Sequence, residues 1–125
     1  MQKGFATLFI VIILGSIALA FALYAATASS WSVRESIDFR KSYQAKALAD
    51  ACAEVALEKM QEDNAFTGSA SLGLENGFCE YQVADSGENI RIIFVRGAVD
   101  DIVRKAQINT ASFNPITISS WQEIP

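Results

Sequence analysis

The sequence predicts an α+β fold, in which a long N-terminal helix packs on a four-stranded antiparallel β-meander. Three observations support this class. No charged residue occurs between Gly4 and Val33. Apolar residues then recur at a helical spacing up to about Glu62, and after that they alternate with polar residues in short runs separated by turns. The 125 residues suffice for one domain, with the first half of the helix predicted to be transmembrane.

Residues 5–28 form the predicted transmembrane half of the helix. A helix of about 24 residues is ~36 Å long, which exceeds the ~30 Å hydrocarbon core of a bilayer. Lys3 precedes this run and a mixed Arg34-Glu35 pair follows it, which favours a single-pass protein of the cytoplasmic membrane with its N-terminus inside. Two alternatives are a cleaved secretory signal peptide, for which the run is too long, and a plain single-span anchor.

Residues 29–62 are predicted to form the amphipathic half of the same helix, and the part from Ser32 onward belongs to the globular domain. The apolar stripe comprises Ala45, Leu48, Ala49, Cys52, Val55, Ala56 and Met60. We expect Leu48, Cys52 and Val55 to cover the sheet. The Asp63-Asn64 pair predicts the end of the helix, followed by a loop over 64–77.

Alternating patterns predict four strands, which complete the domain over residues 63–125. The strands span 78–85, 89–95, 102–110 and 116–124, with turns at 86–89, 100–101 and 112–115. The first strand should place Tyr81 and Val83 in the core beside Cys79.

The other strands carry more specific expectations. Ile90, Ile92 and Phe94 should share one face of the second strand, and Arg96-Gly97 should bulge or bend it. Ala106 and Ile108 should point inward from the third strand. In the fourth strand, Trp121 and Glu123 should share one face, and Ile116 and Ile118 the other.

The two cysteines, Cys52 and Cys79, are predicted to point into the same core. A disulfide between them would contribute about 3.5 kcal/mol of stability on the loop-entropy estimate. The alternative is a pair of buried thiols in a reducing compartment. With no histidine and no Cys-x-x-Cys motif, the chain cannot complete a tetrahedral metal site from these sulfurs.

The composition argues against an enzyme, a cofactor and a nucleic-acid partner. The net charge is −4 and no basic stripe occurs, so no nucleic-acid contact is expected. The adjacent acids Asp100-Asp101 and Glu62-Asp63 flank predicted turns, where solvated carboxylates are usual. Residues 85–89 lack the alternating oxygen ligands of a calcium loop, and no glycine-rich phosphate loop follows a strand.

The first residues, MQKGFATLFIVIILGSIALA, resemble the N-termini of type IV pilins, pseudopilins and minor pilins. In that family a prepilin peptidase removes a short basic leader after its last glycine, and the new N-terminal phenylalanine is methylated. The resemblance implies a leader over residues 1–4, cleavage between Gly4 and Phe5, and methylation of Phe5. It also implies that the partners are other pilin-like subunits, the peptidase, and membrane lipid before assembly.

One position departs from the family pattern. Major pilins have a glutamate four residues beyond that phenylalanine, and its carboxylate neutralises the N-terminal amine of a neighbouring subunit. Here the position is Phe9. The resemblance therefore implies a minor or tip subunit of a pilus-like surface filament or a secretion pseudopilus. The alternative is a single-span anchored domain that binds a ligand or an envelope partner without entering a fibre.

Two sets of residues are candidates for subunit contacts. Packing of the helix in a fibre core is expected to involve Phe9, Ile13, Gly15, Ala18 and Ala22, because small residues let helices approach closely. An ordinary membrane helix has the same composition. Trp121, near the C-terminus, either caps the sheet–helix core or lies exposed at a subunit contact.

Overall fold

A computed structural model of the chain describes residues 2–88, 90–113 and 115–125. The elements follow in the order α1 (Gln2–Glu62), β1 (Gly68–Leu74), β2 (Gly77–Asp85), β3 (Arg91–Val99), β4 (Ile102–Phe113) and β5 (Ile116–Ile124). Three predictions touch residues outside this range: the first leader residue, Met1, the start of the second predicted strand at Asn89, and Asn114 in the last predicted turn.

The chain divides into two compact units, one ending at Ile37 and the other comprising Asp38–Pro125. The first unit is helix only, and none of its described residues is buried. The second unit contains the rest of α1 and the whole sheet. It therefore holds the entire hydrophobic core.

Helix α1 ends where the sequence predicts, at Glu62. The Asp63 N–H donates to the Lys59 carbonyl at 3.1 Å, and the Asp63 carboxylate accepts from the Ala65 N–H at 2.9 Å. Asp63 thus begins a turn that leads the chain away from the helix axis.

The sheet confirms the α+β class but corrects the number of strands. Five strands, not four, form an antiparallel meander in the order β1-β2-β3-β4-β5. The additional strand is β1, in a segment predicted to be loop. Its sequence, GSASLGL, has no β-branched or aromatic residue, so it lacks a strand signal. It is a strand because its backbone pairs with β2 from Gly68↔Val83 to Leu74↔Gly77.

The core lies between α1 and the central strands. Small residues dominate the buried face of the helix, which consists of Ala45, Ala49, Cys52, Ala53, Ala56 and Met60. The closest approach is at Gly97 of β3, where a Cβ atom would lie 2.0 Å from the Ala45 carbonyl oxygen. The predicted bulge at Arg96-Gly97 is wrong, because β3 keeps a regular register with both neighbours there. The glycine instead makes room for the helix.

In β3, the predicted face of Ile92 and Phe94 is turned away from the helix. The residues buried under α1 are Ile93 and Val95, 0% and 2% exposed, which pair with Val83 and Tyr81 of β2. Directly paired residues of an antiparallel ladder share a face. Because β3 is apolar on both faces, its pattern alone does not indicate which one is buried.

In β5, the predicted separation of Trp121 from Ile118 is wrong. Trp121 pairs with Ile108 and Ile118 pairs with Thr110, and both of these β4 residues are fully buried. The register shifts between these pairs, leaving Ser119 as an extra residue. Since one extra residue reverses the alternation, Ile118 and Trp121 lie on the same side of the sheet.

Candidate functional site

The segment Gly4–Val33, called here the uncharged segment, presents an apolar surface on every side. All of its residues are exposed. The large side chains include Phe5 at 73%, Phe21 at 71% and Trp31 at 76% exposure. By length and composition the helix can cross a membrane. An apolar surface of this extent needs lipid or other helices as its environment.

Four hydroxyl groups of the uncharged segment are bonded to the backbone of the helix. Thr7, Ser16 and Thr27 each donate to a carbonyl one turn earlier at 2.8 Å, and Ser30 does so at 3.1 Å. Such bonds satisfy polar side chains without water. These residues are therefore compatible with an apolar environment around the helix.

The predicted processing residues, Gly4 and Phe5, lie in the first turns of α1. A Cβ atom at Gly4 would meet nothing within 4 Å, and the Phe5 side chain is largely exposed. No other described element therefore packs against this peptide bond, which lies within α1.

The predicted fibre-packing residues are all exposed but do not share one face. At about 100° per residue, Gly15, Ala18 and Ala22 lie within one stripe, whereas Phe9 and Ile13 lie on the opposite side. The helix thus has a smooth side of small residues and a side of bulky ones. A close helix–helix contact would use the smooth side.

Cys52 and Cys79 lie at disulfide-bonding distance, with their Cα atoms 6.1 Å apart. Both are buried, at 0% and 1% exposure. The link joins the middle of the packed half of α1 to the start of β2. It therefore ties the helix to the sheet inside the core.

The four residues predicted to form the helix–sheet core divide into two pairs. Tyr81 and Val83 are buried under the helix, whereas Leu48 and Val55 are partly buried at the core's edge. The centre of the contact on the helix is made by alanines instead. Small residues at the centre let α1 lie close to the sheet, and larger ones close its flank.

Polar contacts join the start of the packed part of the helix to the β3–β4 turn and to β4. Lys41 pairs with Asp100 in the β3–β4 turn at 2.9 Å, and this hydrogen bond raises the pKa of Lys41. Arg104 of β4 donates to Glu123 of β5 and to the Ser42 hydroxyl on the helix. The pKa of Arg104 is raised by Glu123 and, less strongly, by Tyr43, and the pKa of Glu123 is lowered by Arg104.

Trp121 lies on the helix side of the sheet and is 42% exposed. It borders a shallow groove between α1 and β5, together with Lys46, Asp50 and Glu123. Trp121 is therefore not a core residue, although it lies on the same side of the sheet as the core. It covers the edge of the sheet that the helix does not reach.

The acidic pairs considered in the sequence are exposed. Asp100-Asp101 and Glu62-Asp63 all lie at the surface, and Asp85 pairs with Arg91 at 2.6 Å. Among the described residues, no group of three His, Cys, Asp or Glu side chains could hold a metal ion.

One buried charged residue was not predicted from the sequence. Arg91, at the start of β3, is 8% exposed. Its backbone N–H donates to the Thr110 hydroxyl at 3.1 Å, and that hydroxyl donates to the Arg91 carbonyl at the same distance. The only sequence signal is that Arg91 falls in phase with Ile93 and Val95. The contacts indicate a structural role at the end of the sheet.

The described residues thus combine an exposed apolar helix with a compact, cross-linked domain. Several charged side chains of this domain form ion pairs that join one secondary-structure element to another. No protein-family model, no curated protein and no solved structure matches this chain.

Proposed function

We propose that this chain is a type IV pilin-like subunit at a minor or tip position of a surface filament or secretion pseudopilus. It would be held in the cytoplasmic membrane, with its N-terminus inside, before assembly. The observation that carries the proposal is the uncharged segment, whose residues have no buried contact within the chain. The segment begins within the Lys3-Gly4-Phe5 motif, on which the resemblance to prepilins rests.

The energetics of the uncharged segment support a partner along its whole length. Burying one large apolar side chain stabilises by about 1.5–3 kcal/mol. More than ten such side chains are exposed here, Phe5 to Val33. Lipid before assembly and neighbouring helices afterwards would both supply that burial.

The position of Phe9 supports a minor or tip location. It is 57% exposed on the uncharged segment, and its ring cannot neutralise the amine of a neighbouring subunit. A subunit that does not have to accept such an amine fits the end of a fibre. The fibre end is therefore the location proposed for this chain.

Intact mass spectrometry tests processing. The chain is produced in membranes with and without a prepilin peptidase. We expect loss of residues 1–4 and a gain of about 14 Da for one methyl group. The Gly4→Val variant should keep its full mass, whereas Gly15→Val, equally free of neighbours within 4 Å, should be processed normally. A full-length, unmodified N-terminus in the presence of active peptidase would contradict the pilin assignment.

Sheared surface filaments test assembly. Peptides from this chain should be present in them at a low ratio to a major subunit. The Phe9→Glu variant restores the family's carboxylate and should raise that ratio, while Phe21→Glu should not. The same low ratio in both variants would argue against a location set by Phe9.

The uncharged segment also supports a second function, which does not depend on the Lys3-Gly4-Phe5 motif. A plain single-span anchor would hold the folded unit outside the membrane, where it binds a ligand or an envelope partner. An unprocessed chain in the membrane fraction, with none in sheared filaments, would assign this function.

A further inference from the structure

Strand β1 forms one edge of the sheet and, among the strands that the structure describes, pairs only with β2. All seven of its residues, Gly68–Leu74, are exposed, and none of them is charged or a proline. Its register with β2 is regular, without a bulge. Charged residues, prolines and bulges are the features that normally prevent an edge strand from pairing with another chain. The outer side of β1, called here the open edge, has none of these features.

The hairpin between β1 and β2 determines which backbone groups the open edge presents. Leu74 pairs with Gly77 across a two-residue loop, so these two residues exchange both of their backbone hydrogen bonds. In an antiparallel pair, such residues alternate with residues whose N–H and C=O groups point outward. The N–H and C=O groups of Ser69, Ser71 and Gly73 therefore point away from β2. No turn, loop or cap bond of the described backbone reaches them. The group that matches such a row is the backbone of another extended strand.

The side chains of β1 indicate the character of a strand that would fit beside it. Leu72 pairs with Cys79, which is buried under α1, so Leu72 and Leu74 lie on the helix side of the sheet. They are 41% and 60% exposed. A groove of about 430 Å³, lined by Leu74 and by Leu48 of α1, extends this apolar surface. The opposite face of β1 carries the small polar residue Ser71 instead. A matching strand therefore has apolar side chains towards the helix and polar ones on its other face.

The other edge of the sheet is protected against pairing. Strand β5 has an extra residue, Ser119, where its register with β4 shifts. It also carries the charged residue Glu123. A bulge and a charge both interrupt the pairing of an edge strand. Of the two edges of the described sheet, only the one formed by β1 is open.

The geometry disfavours a second copy of this chain as the source of the added strand. Antiparallel pairing of β1 with β1 rotates one copy by about 180° about the normal of the sheet. The packed parts of α1 then run in opposite directions, whereas copies anchored in one membrane by the uncharged segment run in the same direction. Parallel pairing of two identical edges offsets them by one residue, which breaks the two-fold symmetry of a closed dimer. A strand from a different chain has neither constraint.

We propose that the open edge accepts one extended strand from a different protein chain, which becomes the sixth strand of the sheet. The added strand is as long as β1, seven residues, and its backbone bonds to Ser69, Ser71 and Gly73. Its apolar side chains, at alternate positions, cover Leu72 and Leu74. One open edge accepts one partner, which suits a minor or tip subunit as well as a plain anchor. The inference goes beyond the proposed function and does not depend on it, because the open edge belongs to the unit Asp38–Pro125.

A peptide probe tests the pairing. A fluorescent, capped peptide of alternating valine and threonine, with a lysine at each end, is titrated into the full chain in detergent. Fluorescence anisotropy should show saturable binding. Ser71→Pro removes an outward N–H and leaves the β1–β2 hydrogen bonds intact, so it should weaken binding by about tenfold or more. Ser71→Ala removes the same hydroxyl group but keeps the N–H, and should bind the peptide as the unaltered chain does. The absence of saturable binding to the unaltered chain, or equal binding by the two variants, would overturn the proposal.

Two further controls separate strand pairing from attraction of the lysines and from misfolding. The same peptide with proline at its central valines keeps both lysines but loses backbone donors, and should not bind. Leu72→Lys keeps every backbone group of β1 and places a charge on the helix side of the edge, and should also weaken binding. The thermal unfolding of each variant shows whether it is folded. Leu72→Lys supplies the test by itself if Ser71→Pro lowers the Tm.

Amide hydrogen exchange, followed by NMR, locates the contact. Without the peptide, the amides of Ser69, Ser71 and Gly73 should exchange faster than those of Ala70 and Leu72, which bond to β2. With the peptide, the fast exchange of the first three should be lost. Uniform exchange along β1 without the peptide, or protection confined to other elements with it, would contradict the proposal.

The Gly4→Val variant separates this inference from the pilin assignment. We expect it to bind the peptide as tightly as the unaltered chain, although it keeps its full mass. Failure of processing would therefore refute the pilin assignment alone, and failure of peptide binding would refute strand addition alone. A dimer of the free chain that Ser71→Pro dissociates would assign the open edge to a second copy and overturn this inference.

Discussion

The two parts of α1 have the same secondary structure but opposite relations to the rest of the chain. Up to Ile37 every described residue is exposed, whereas between Ala45 and Met60 six residues are buried against the sheet. Both parts are rich in alanine, and neither contains proline. The difference is that charges occur only at the two ends of the first part, outside the uncharged segment, whereas they are restricted to one side of the second. Helix formation here is thus a local property, while burial depends on what the chain supplies to cover the helix.

The largest loss of stability is expected from a substitution at Gly97, where α1 approaches the sheet most closely. Gly97→Val would drive a side chain into the Ala45 carbonyl, since even a Cβ atom would lie 2.0 Å from it. We expect the free energy of unfolding to fall by about 4 kcal/mol or more, at the top of the range for one substitution. Near-ultraviolet circular dichroism during thermal unfolding in detergent measures it.

Gly73 supplies the matched control for that change. It lies in β1, exposed, with nothing within 4 Å of its Cβ position. Gly73→Val should shift the free energy of unfolding by no more than about 0.5 kcal/mol. Equal effects at the two glycines would show that the helix does not approach the sheet at Gly97.

The next effect concerns the covalent link of the packed part to the sheet. Cys52→Ala/Cys79→Ala should lower the free energy of unfolding by about 3.5 kcal/mol, because the unfolded chain is no longer constrained by a closed loop. Cys52→Ala alone should have a similar effect. In the unaltered chain neither sulfur should react with an alkylating reagent before reduction and denaturation, as mass spectrometry can show. Rapid alkylation of native protein would contradict the link.

A pair of alanine substitutions compares the two parts of the helix directly. Ala18 and Ala51 are both exposed, one in each part. Ala18→Lys should oppose membrane insertion by about 3 kcal/mol, while Ala51→Lys should leave the chain in the membrane fraction. Carbonate extraction followed by immunoblotting measures the retained fraction. Equal retention of both variants would show that the uncharged segment does not lie in lipid.

The smallest effect is expected at the polar contact between β4 and β5. Arg104 lowers the pKa of Glu123 below its ordinary value of 4.5, so the pair stabilises the fold fully above that pH. Its contribution is lost as the pH falls through the lower pKa of the folded state. Between about pH 6 and about pH 3, the Tm should therefore fall slightly more in the unaltered chain than in Glu123→Gln. If the Tm of the two proteins changed equally with pH, the Arg104–Glu123 pair would make no contribution to stability.

Several features of the fold were predictable because they depend on residues close in sequence. The uncharged segment, the helical stripe up to Met60 and the turn at Asp63 are local patterns, and the structure agrees with them. The pairing of Cys52 with Cys79 also followed, because each lies on the apolar face of its own element.

By itself, the sequence determined the class of the fold, the extent of the apolar helix and the Lys3-Gly4-Phe5 motif at its start. Only the tertiary structure decided that residues 68–74 are a strand, that Ile93 rather than Ile92 is buried, and that Ile118 shares a side with Trp121. The reason is that strand pairing joins backbones distant along the chain, and a change of one residue in register turns every following side chain to the other face.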